Sequence, residues 1–187
     1  MTRRLSVILG PASAADLPAL AALAAATLPE PWSEPGFGAE LARPEARVWL
    51  ARSPAGELLG YVVAHRVLDE LSVVSLAVDE RQRRRGTGRA LLEHALAREP
   101  GLRVVHLEVR SKDAGAQAFY ARLGFRPVGR RPGFYAGRED AILLARTLSG
   151  TDCQDPPGGG SRGANGVPPS LSILSDLDRL RRLWSSG

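Results

Sequence analysis

The sequence predicts one mixed α+β domain over residues 1–149 and a separate tail over residues 150–187. Three observations carry this reading. Stretches of period-2 apolar alternation exchange with stretches of helical spacing along the first 148 residues. With 187 residues and 44% hydrophobic side chains, the chain can bury a core without a disulfide or metal staple. After Leu148 the composition turns to Gly, Pro, Ser and Asp, centred on Pro156-Pro157-Gly158-Gly159-Gly160. Such a stretch buries too little apolar surface to offset the entropy of ordering it.

Residues 14–28 read as a helix, with Ser13 as N-cap, Asp16 in the first turn and Pro29 as the stop. Leu17, Leu20 and Leu28 stand in an alanine-rich context there. Trp32-Ser33-Glu34 opens a second helix that runs to about Leu41. Arg47–Arg52 and Leu58–His65 read as strands joined by the turn Ser53-Pro54-Ala55-Gly56. In the apolar run Leu71–Val78, simple alternation puts Leu71, Val73, Ser75 and Ala77 on one face. Gly86–Arg98 is a helix with Leu91, Leu92, Ala95 and Leu96 as its stripe, ended by Pro100-Gly101. Val104–Arg110 is a strand with Val105, Leu107 and Val109 on one face and His106, Glu108 and Arg110 on the other. Asp113–Leu123 is a helix closed by Gly124. Strands at Phe125–Arg131 and Ala141–Leu148 complete the domain. In the tail, Leu171, Leu174, Leu177, Leu180, Leu183 and Trp184 have the spacing of a short amphipathic helix. On its own so short a helix frays in water, and the alternative is a docking segment.

Composition excludes several classes of function. The single cysteine, Cys153, leaves no internal disulfide and no cysteine-based zinc site, and His65, His94 and His106 lack metal-ligand spacing. No metal is expected. No apolar run approaches the ~20 residues of a membrane helix. Nor does an apolar run long enough for a signal peptide follow the basic start Met1-Thr2-Arg3-Arg4-Leu5, so a cytoplasmic protein is expected. The net charge is +5, with Lys112 the lone lysine among arginines. Residues 1–150 carry 21 basic and 16 acidic side chains, and residues 151–187 four of each. The excess therefore belongs to the folded part, where guanidinium forks suit phosphate. With aromatics at 5%, no stacking platform for nucleic acid emerges, and direct nucleic-acid binding is not expected.

The most informative stretch is Leu76-Ala77-Val78-Asp79-Glu80-Arg81-Gln82-Arg83-Arg84-Arg85-Gly86-Thr87-Gly88-Arg89. A strand runs into an arginine-rich turn, two glycines follow at alternate positions, and a helix opens at once. Glycine lets the backbone approach a ligand closely. The unpaired N–H groups and dipole of the helix start then suit a pyrophosphate, with Arg83, Arg84, Arg85 and Arg89 adding charge. No Gly-Lys-Ser/Thr follows, so this is not a Walker loop, and the third glycine of a dinucleotide fingerprint is missing.

Arg83-x-x-Gly86-x-Gly88 in this setting resembles motif A of the GCN5-related N-acetyltransferases, and the resemblance extends over nearly all of residues 5–149. It implies an α+β fold with a central, mostly antiparallel twisted sheet flanked by helices. It implies acetyl-CoA as cosubstrate, its pyrophosphate on the amides of Arg84, Arg85, Gly86, Thr87, Gly88 and Arg89. The main chain of Leu76, Ala77 and Val78 would line the pantetheine and acetyl group, with the Val78 amide polarising the thioester carbonyl.

Five further segments narrow the resemblance to the branch of the family that acetylates the N-terminal alanine of a small-subunit ribosomal protein. They are Pro31-Trp32-Ser33-Glu34-x-x-Phe37, Val67-Leu68-Asp69-Glu70, Leu107-Glu108-Val109-Arg110, Ala118-Phe119-Tyr120-x-x-Leu123-Gly124-Phe125, and Arg131-x-x-Phe134-Tyr135 with Glu139-Asp140-Ala141. The partner so implied is the N-terminal peptide of a ribosomal protein. Glu108 matches the family's base, which takes a proton from the acceptor amine, and Tyr120 its general acid, which protonates the departing thiolate. Asp113 stands where the family usually has an asparagine that contacts the cofactor. Its plain role is to cap the following helix. Trp32, Phe37 and Tyr135 are candidates for the peptide groove, and Glu139 and Asp140 for attracting a basic peptide. Two other classes fit parts of the pattern: an acetyltransferase of small amines, and a non-catalytic binder of acetyl-CoA or nucleic acid.

Overall fold

The structure, a computed structural model, describes residues 6–148. The tail stretch around Pro156 and the stripe from Leu171 to Trp184 lie outside the described residues. Seven strands form one sheet. They are β1 (Ile8–Pro11), β2 (Ala46–Arg52), β3 (Leu58–Val67), β4 (Glu70–Val78), β5 (Val104–Arg110), β6 (Arg126–Tyr135) and β7 (Glu139–Thr147). The helices are α1 (Leu17–Thr27), α2 (Glu34–Leu41), α3 (Thr87–Ala97) and α4 (Ala114–Arg122). The strand order is β1-β2-β3-β4-β5-β7-β6. Every neighbouring pair is antiparallel except β4 and β5, which are parallel and joined across α3.

The local signals act as expected. A 3-10 turn at Ala14–Asp16 leads into α1, and the Ser13 amide donates to the Asp16 carboxylate at 2.8 Å. Ser33 caps α2 by accepting from the Gly36 amide. Asp113 caps α4, its carboxylate accepting from the Ala116 amide at 2.8 Å. β1 has no counterpart among the expected strands. It is an edge strand of four residues containing Gly10 and Pro11, and Ile8 is exposed, so it carries no apolar alternation.

The two faces of the sheet bury different cores. On one face α3 and α4 cover Val62, Leu71, Val73, Val105, Leu107 and Val109, with Leu91, Leu92, Tyr120 and Phe125 packed into them. On the other, α1 and α2 set Leu20, Leu23 and Phe37 against Val48, Leu50, Tyr61, Val63 and Ala77. Each fully buried aliphatic side chain is worth about 1.5–3 kcal/mol of transfer free energy.

β4 departs from simple alternation, and the departure shapes the site. Val73 pairs with Ala64, but the next pair along is Ser75 with Val63, so Val74 is an extra residue, a β-bulge. One inserted residue moves everything beyond it to the opposite face. Leu71 and Val73 therefore pack with α3, while Ala77 packs with α1 and α2 and the Ser75 hydroxyl meets that of Tyr61 at 3.2 Å. The expectation of one shared face for Leu71, Val73, Ser75 and Ala77 is corrected by this bulge.

Candidate active site

The parallel pairing of β4 with β5 runs from Glu70–Val104 to Val73–Leu107 and stops there. Beyond the bulge β4 keeps its β3 partner, and β5 keeps its β7 partner as far as Arg110 with Ala141. The two strands thus part, and a gap opens between Ser75–Val78 and Glu108–Arg110. The Asp79 amide donates to the Leu59 carbonyl on the β3 side at 2.9 Å. Amide direction alternates along an antiparallel strand, so the Ala77 amide shares that side, and those of Leu76 and Val78 face the gap. Close packing of β3 on β4 depends on Gly60, where a Cβ would stand 2.8 Å from the Ala77 carbonyl oxygen.

Past Val78 the chain makes a 3-10 turn at Glu80–Gln82, and Arg84 then takes a left-handed φ of 61°. Gly86, φ 89°, is the N-cap of α3. The first main-chain hydrogen bond of α3 is from the Ala90 amide to the Gly86 carbonyl, 2.9 Å. The amides of Gly86, Thr87, Gly88 and Arg89 consequently have no acceptor within the helix. Thr87 is buried, and its hydroxyl has no hydrogen-bond partner in the protein. Several arginines here are occupied: Arg81 by Asp79, Arg83 by Glu80, and Arg89 by Glu93. Arg84 and Arg85 are exposed and have no ion-pair partner among the described residues. Orphan amides, an unpartnered buried hydroxyl and two free guanidinium groups fit a phosphorylated ligand. The two glycines serve different ends. Gly86 supplies the left-handed turn, and a Cβ there would meet nothing within 4 Å. At Gly88 a Cβ would stand 3.3 Å from the Phe119 ring and 3.5 Å from Val78, so this glycine lets α3 pack on α4 and β4.

Glu108 projects from β5 on the α1/α2 face of the sheet. Its carboxylate lies 3.1 Å from the Arg131 guanidinium. Leu143 and Ala141 of β7 stand between β5 and β6, paired with Glu108 and Arg131 respectively. The small Ala141 side chain leaves the diagonal open for this pair. Tyr120 belongs to the opposite core, with Phe119 and Phe125 edge-on at 4.9 and 5.5 Å. Burial, then the negative charges of Asp113 and Tyr135, push its phenol well above the ordinary value. The phenol stays protonated through the physiological range, as a proton donor must. Glu108 and Tyr120 thus lie on opposite faces of the sheet.

The remaining expectations divide. Trp32 is half-buried and lines an open groove of about 560 Å3 with Ala21, Ala25 and Pro31. Phe37 is fully buried against Tyr61, ring centroids 5.3 Å apart, and fills the core. Glu139 and Asp140 are held by Arg110 and Arg130, so their charge is already compensated. Asp113 acts as the cap of α4. Among the described residues no group of His, Cys, Asp and Glu is placed to hold a metal, and no helix is long and apolar enough to cross a membrane.

Known proteins share this fold. The model of the acetyltransferase (GNAT) family matches residues 17–125. The chain belongs to the GNAT acetyltransferase family. It is 35% identical to the [ribosomal protein bS18]-alanine N-acetyltransferase of Escherichia coli K12, over 72% of this chain and 93% of that one. It is 37% identical to the N-alpha-acetyltransferase RimI of Mycobacterium tuberculosis, over 63% and 76%. The crystal structure of the E. coli S18-alanine N-acetyltransferase superposes with a TM-score of 0.71 at 31% identity, covering 80% of this chain and 99% of that one. Arabidopsis thaliana NAA60 with acetyl-CoA superposes with a TM-score of 0.69 at 25% identity, over 78% and 100%. As a GNAT enzyme the protein takes its acetyl group from acetyl-CoA.

The geometry also supplies residues that sequence reasoning missed. Arg131 was legible only as part of an Arg-x-x-Phe-Tyr segment, and nothing in its spacing from Glu108 announces an ion pair. Glu30 and Arg110 pair at 2.8 Å across 80 residues of sequence. His106 contacts the Ser72 hydroxyl across β4 and β5, and burial pushes its imidazole down, toward the neutral form.

Proposed function

We propose that this enzyme acetylates a protein N-terminus that begins with alanine, that of the small-subunit ribosomal protein bS18, with Glu108 as base and Tyr120 as acid. What supports the reading is that Glu108 stands on the strand bordering the β4–β5 gap and Tyr120 packs on the opposite face of the sheet, in a chain whose GNAT relatives act on that alanine. A free α-amino group has a pKa of roughly 8 and is mostly protonated near neutrality. It must lose a proton before it can attack. Glu108 is the carboxylate on the acceptor side of the gap, and it takes that proton directly or through one water.

Arg131 occupies the place beside Glu108 that the acceptor's ammonium needs. Acceptor binding therefore exchanges one cation for another and leaves no carboxylate buried alone. Acetyl-CoA supplies the activated acyl carbon. The amides of residues 84–89 and the guanidinium groups of Arg84 and Arg85 hold its pyrophosphate, and the Val78 amide, facing the gap, donates to the acyl oxygen as negative charge develops there. Tyr120 gives its proton to the sulfur as the carbon–sulfur bond breaks. The proton taken by Glu108 returns through solvent to the Tyr120 phenolate and the amine's second proton goes to solvent, so one proton is released per turnover.

The test is an acetylation assay with acetyl-CoA and peptides that differ only in their first residue. Alanine should be preferred by kcat/KM. A free small amine acetylated faster than every peptide would overturn the reading in favour of a small-molecule acetyltransferase.

A further inference from the structure

The acceptor side of the gap holds a second arginine whose contacts the proposed chemistry does not use. Arg110 ends β5 on the same face as Glu108, two residues further on. One of its nitrogens lies 2.8 Å from the Glu30 carboxylate, and another 3.2 Å from that of Glu139. Its guanidinium carbon sits 4.0 Å from the centre of the Tyr135 ring. Glu139 is fixed in turn by the Lys112 amide at 2.9 Å. One side chain therefore joins three segments: the α1–α2 connection through Glu30, the end of β5, and the β6–β7 turn through Tyr135 and Glu139.

These segments surround the acceptor's approach. The residues after Glu30, namely Pro31, Trp32 and Ser33, line the groove beside α1. We propose that Arg110 is a positioning residue for the acceptor: it clamps the α1–α2 connection and Tyr135 to β5, and so sets how the acceptor peptide seats against Glu108. The inference rests on the acceptor side assigned above.

The two carboxylate arms differ. Glu139 is mostly buried, whereas the Glu30 side chain is 64% exposed. An exposed ion pair is screened by salt, and a mostly buried one much less. The Glu30 arm is thus the adjustable one. Lysine cannot substitute for Arg110, because a single ammonium cannot bridge two carboxylates and stack flat on a ring.

The experiment compares Arg110→Gln, Arg110→Lys and Glu30→Gln with the unaltered enzyme at low and high salt, each with the acceptor that the unaltered enzyme turns over fastest. An acceptor other than an alanyl peptide would overturn the substrate reading and leave this comparison intact. Arg110→Gln should raise the KM for the acceptor about tenfold, the scale of a lost charge-assisted hydrogen bond. The KM for acetyl-CoA should stay within about twofold, and Arg110→Lys should restore little. Glu30→Gln should raise the acceptor KM about threefold at low salt and flatten its salt dependence. Equal rises in both KM values, or an unchanged acceptor KM with a lower kcat, would overturn the proposal. Should the Arg110 variants melt below the assay temperature, Glu30→Gln decides: an acceptor KM equal to that of the unaltered enzyme at every salt concentration overturns it.

Discussion

At the mouth of the gap, on the α3 side, the groups proposed to face a ligand are main-chain amides from consecutive residues, 84–89, shaped by the left-handed turns at Arg84 and Gly86. Across the gap they are side-chain charges gathered from distant places: Glu108 with Arg131, and Arg110 with Glu30 and Glu139. The donor side is local and made of backbone, so a side-chain substitution there acts by changing backbone shape. The acceptor side is non-local and made of ion pairs, so one substitution unpairs a partner far along the chain. The first suits a cosubstrate common to a whole family. The second can be retuned for a different acceptor without disturbing the first.

The largest effects should fall on the chemistry between the two sides. Glu108→Gln should lower turnover by about 10²-fold or more, the usual scale for a lost proton-transfer group. Calorimetric affinity for acetyl-CoA should be retained. Tyr120→Phe should do the same, because the ring contacts with Phe119 and Phe125 survive loss of the hydroxyl. Tyr120 is held well above the ordinary tyrosine range, so it ionises only beyond the ordinary tyrosine pKa of roughly 10. The rate profile should therefore show no alkaline fall from this group below about pH 10. If both variants keep near-normal turnover, the gap is not where acetyl transfer occurs.

Next in size is a contrast within the donor side. Gly86→Val forces a β-branched residue to φ 89°, where only glycine is at ease. It should weaken acetyl-CoA binding about tenfold or more, on the scale of backbone strain at such a position. A Cβ at residue 86 meets no neighbour, so the melting temperature should fall less than the affinity. Gly88→Val places its Cβ against Phe119 and Val78 and should lower the melting temperature as well. Equal thermal losses in the two variants would erase the distinction between a turn glycine and a packing glycine.

How much of this was legible in the sequence follows the same divide. Gly86, Gly88 and the arginine run sit within seven residues, so strand, turn and helix start could be read together. The α4 cap at Asp113 and the helix end at Gly124 are local for the same reason. The bulge at Val74 was not legible, because the apolar run continues smoothly through it and only pairing with Val63 and Ala64 reveals the extra residue. Strand β1 was hidden by its length and edge position. The Glu108–Arg131 and Glu30–Arg110 pairs depend on strand order, with β7 between β5 and β6, and no spacing rule encodes that order.

A smaller, pH-dependent effect tests the floor of the acceptor face. Glu70 of β4 has a carboxyl oxygen that is buried without a hydrogen-bond partner, 3.9 Å from the His106 ring. Burial first, then the charge of Asp69, pushes its pKa up. A raised carboxyl favours folding below its unfolded value, and that advantage is lost as pH rises through the folded value. Glu70→Gln mimics the protonated form. It should raise the melting temperature by roughly 2–4 °C at pH 7 and leave it unchanged at about pH 4, where both states bind the proton. Burial pushes His106 the other way, toward its neutral form. A rise at pH 4 as large as that at pH 7 would mean that Gln packs better there and that charge is not the cause.

The smallest effect is expected from removing residues 150–187. Both sides of the gap are complete without them: the amides of 84–89, Glu108, Tyr120, Arg110, Arg131 and Glu30 all lie within residues 6–148. The sheet also closes before that point. β7 ends at Thr147, and the Leu148 amide still donates to the Arg103 carbonyl at 2.8 Å. We therefore treat residues 1–149 as the catalytic domain, and truncation after Ser149 should leave kcat, both KM values and the melting temperature nearly unchanged. A rise in the acceptor KM alone would place the Leu171–Trp184 stripe on the acceptor side, and a rise in the acetyl-CoA KM alone would place it on the donor side. A fall of several degrees in melting temperature with unchanged kinetics would instead make the stripe part of the domain's core, and the boundary at residue 149 would have to move.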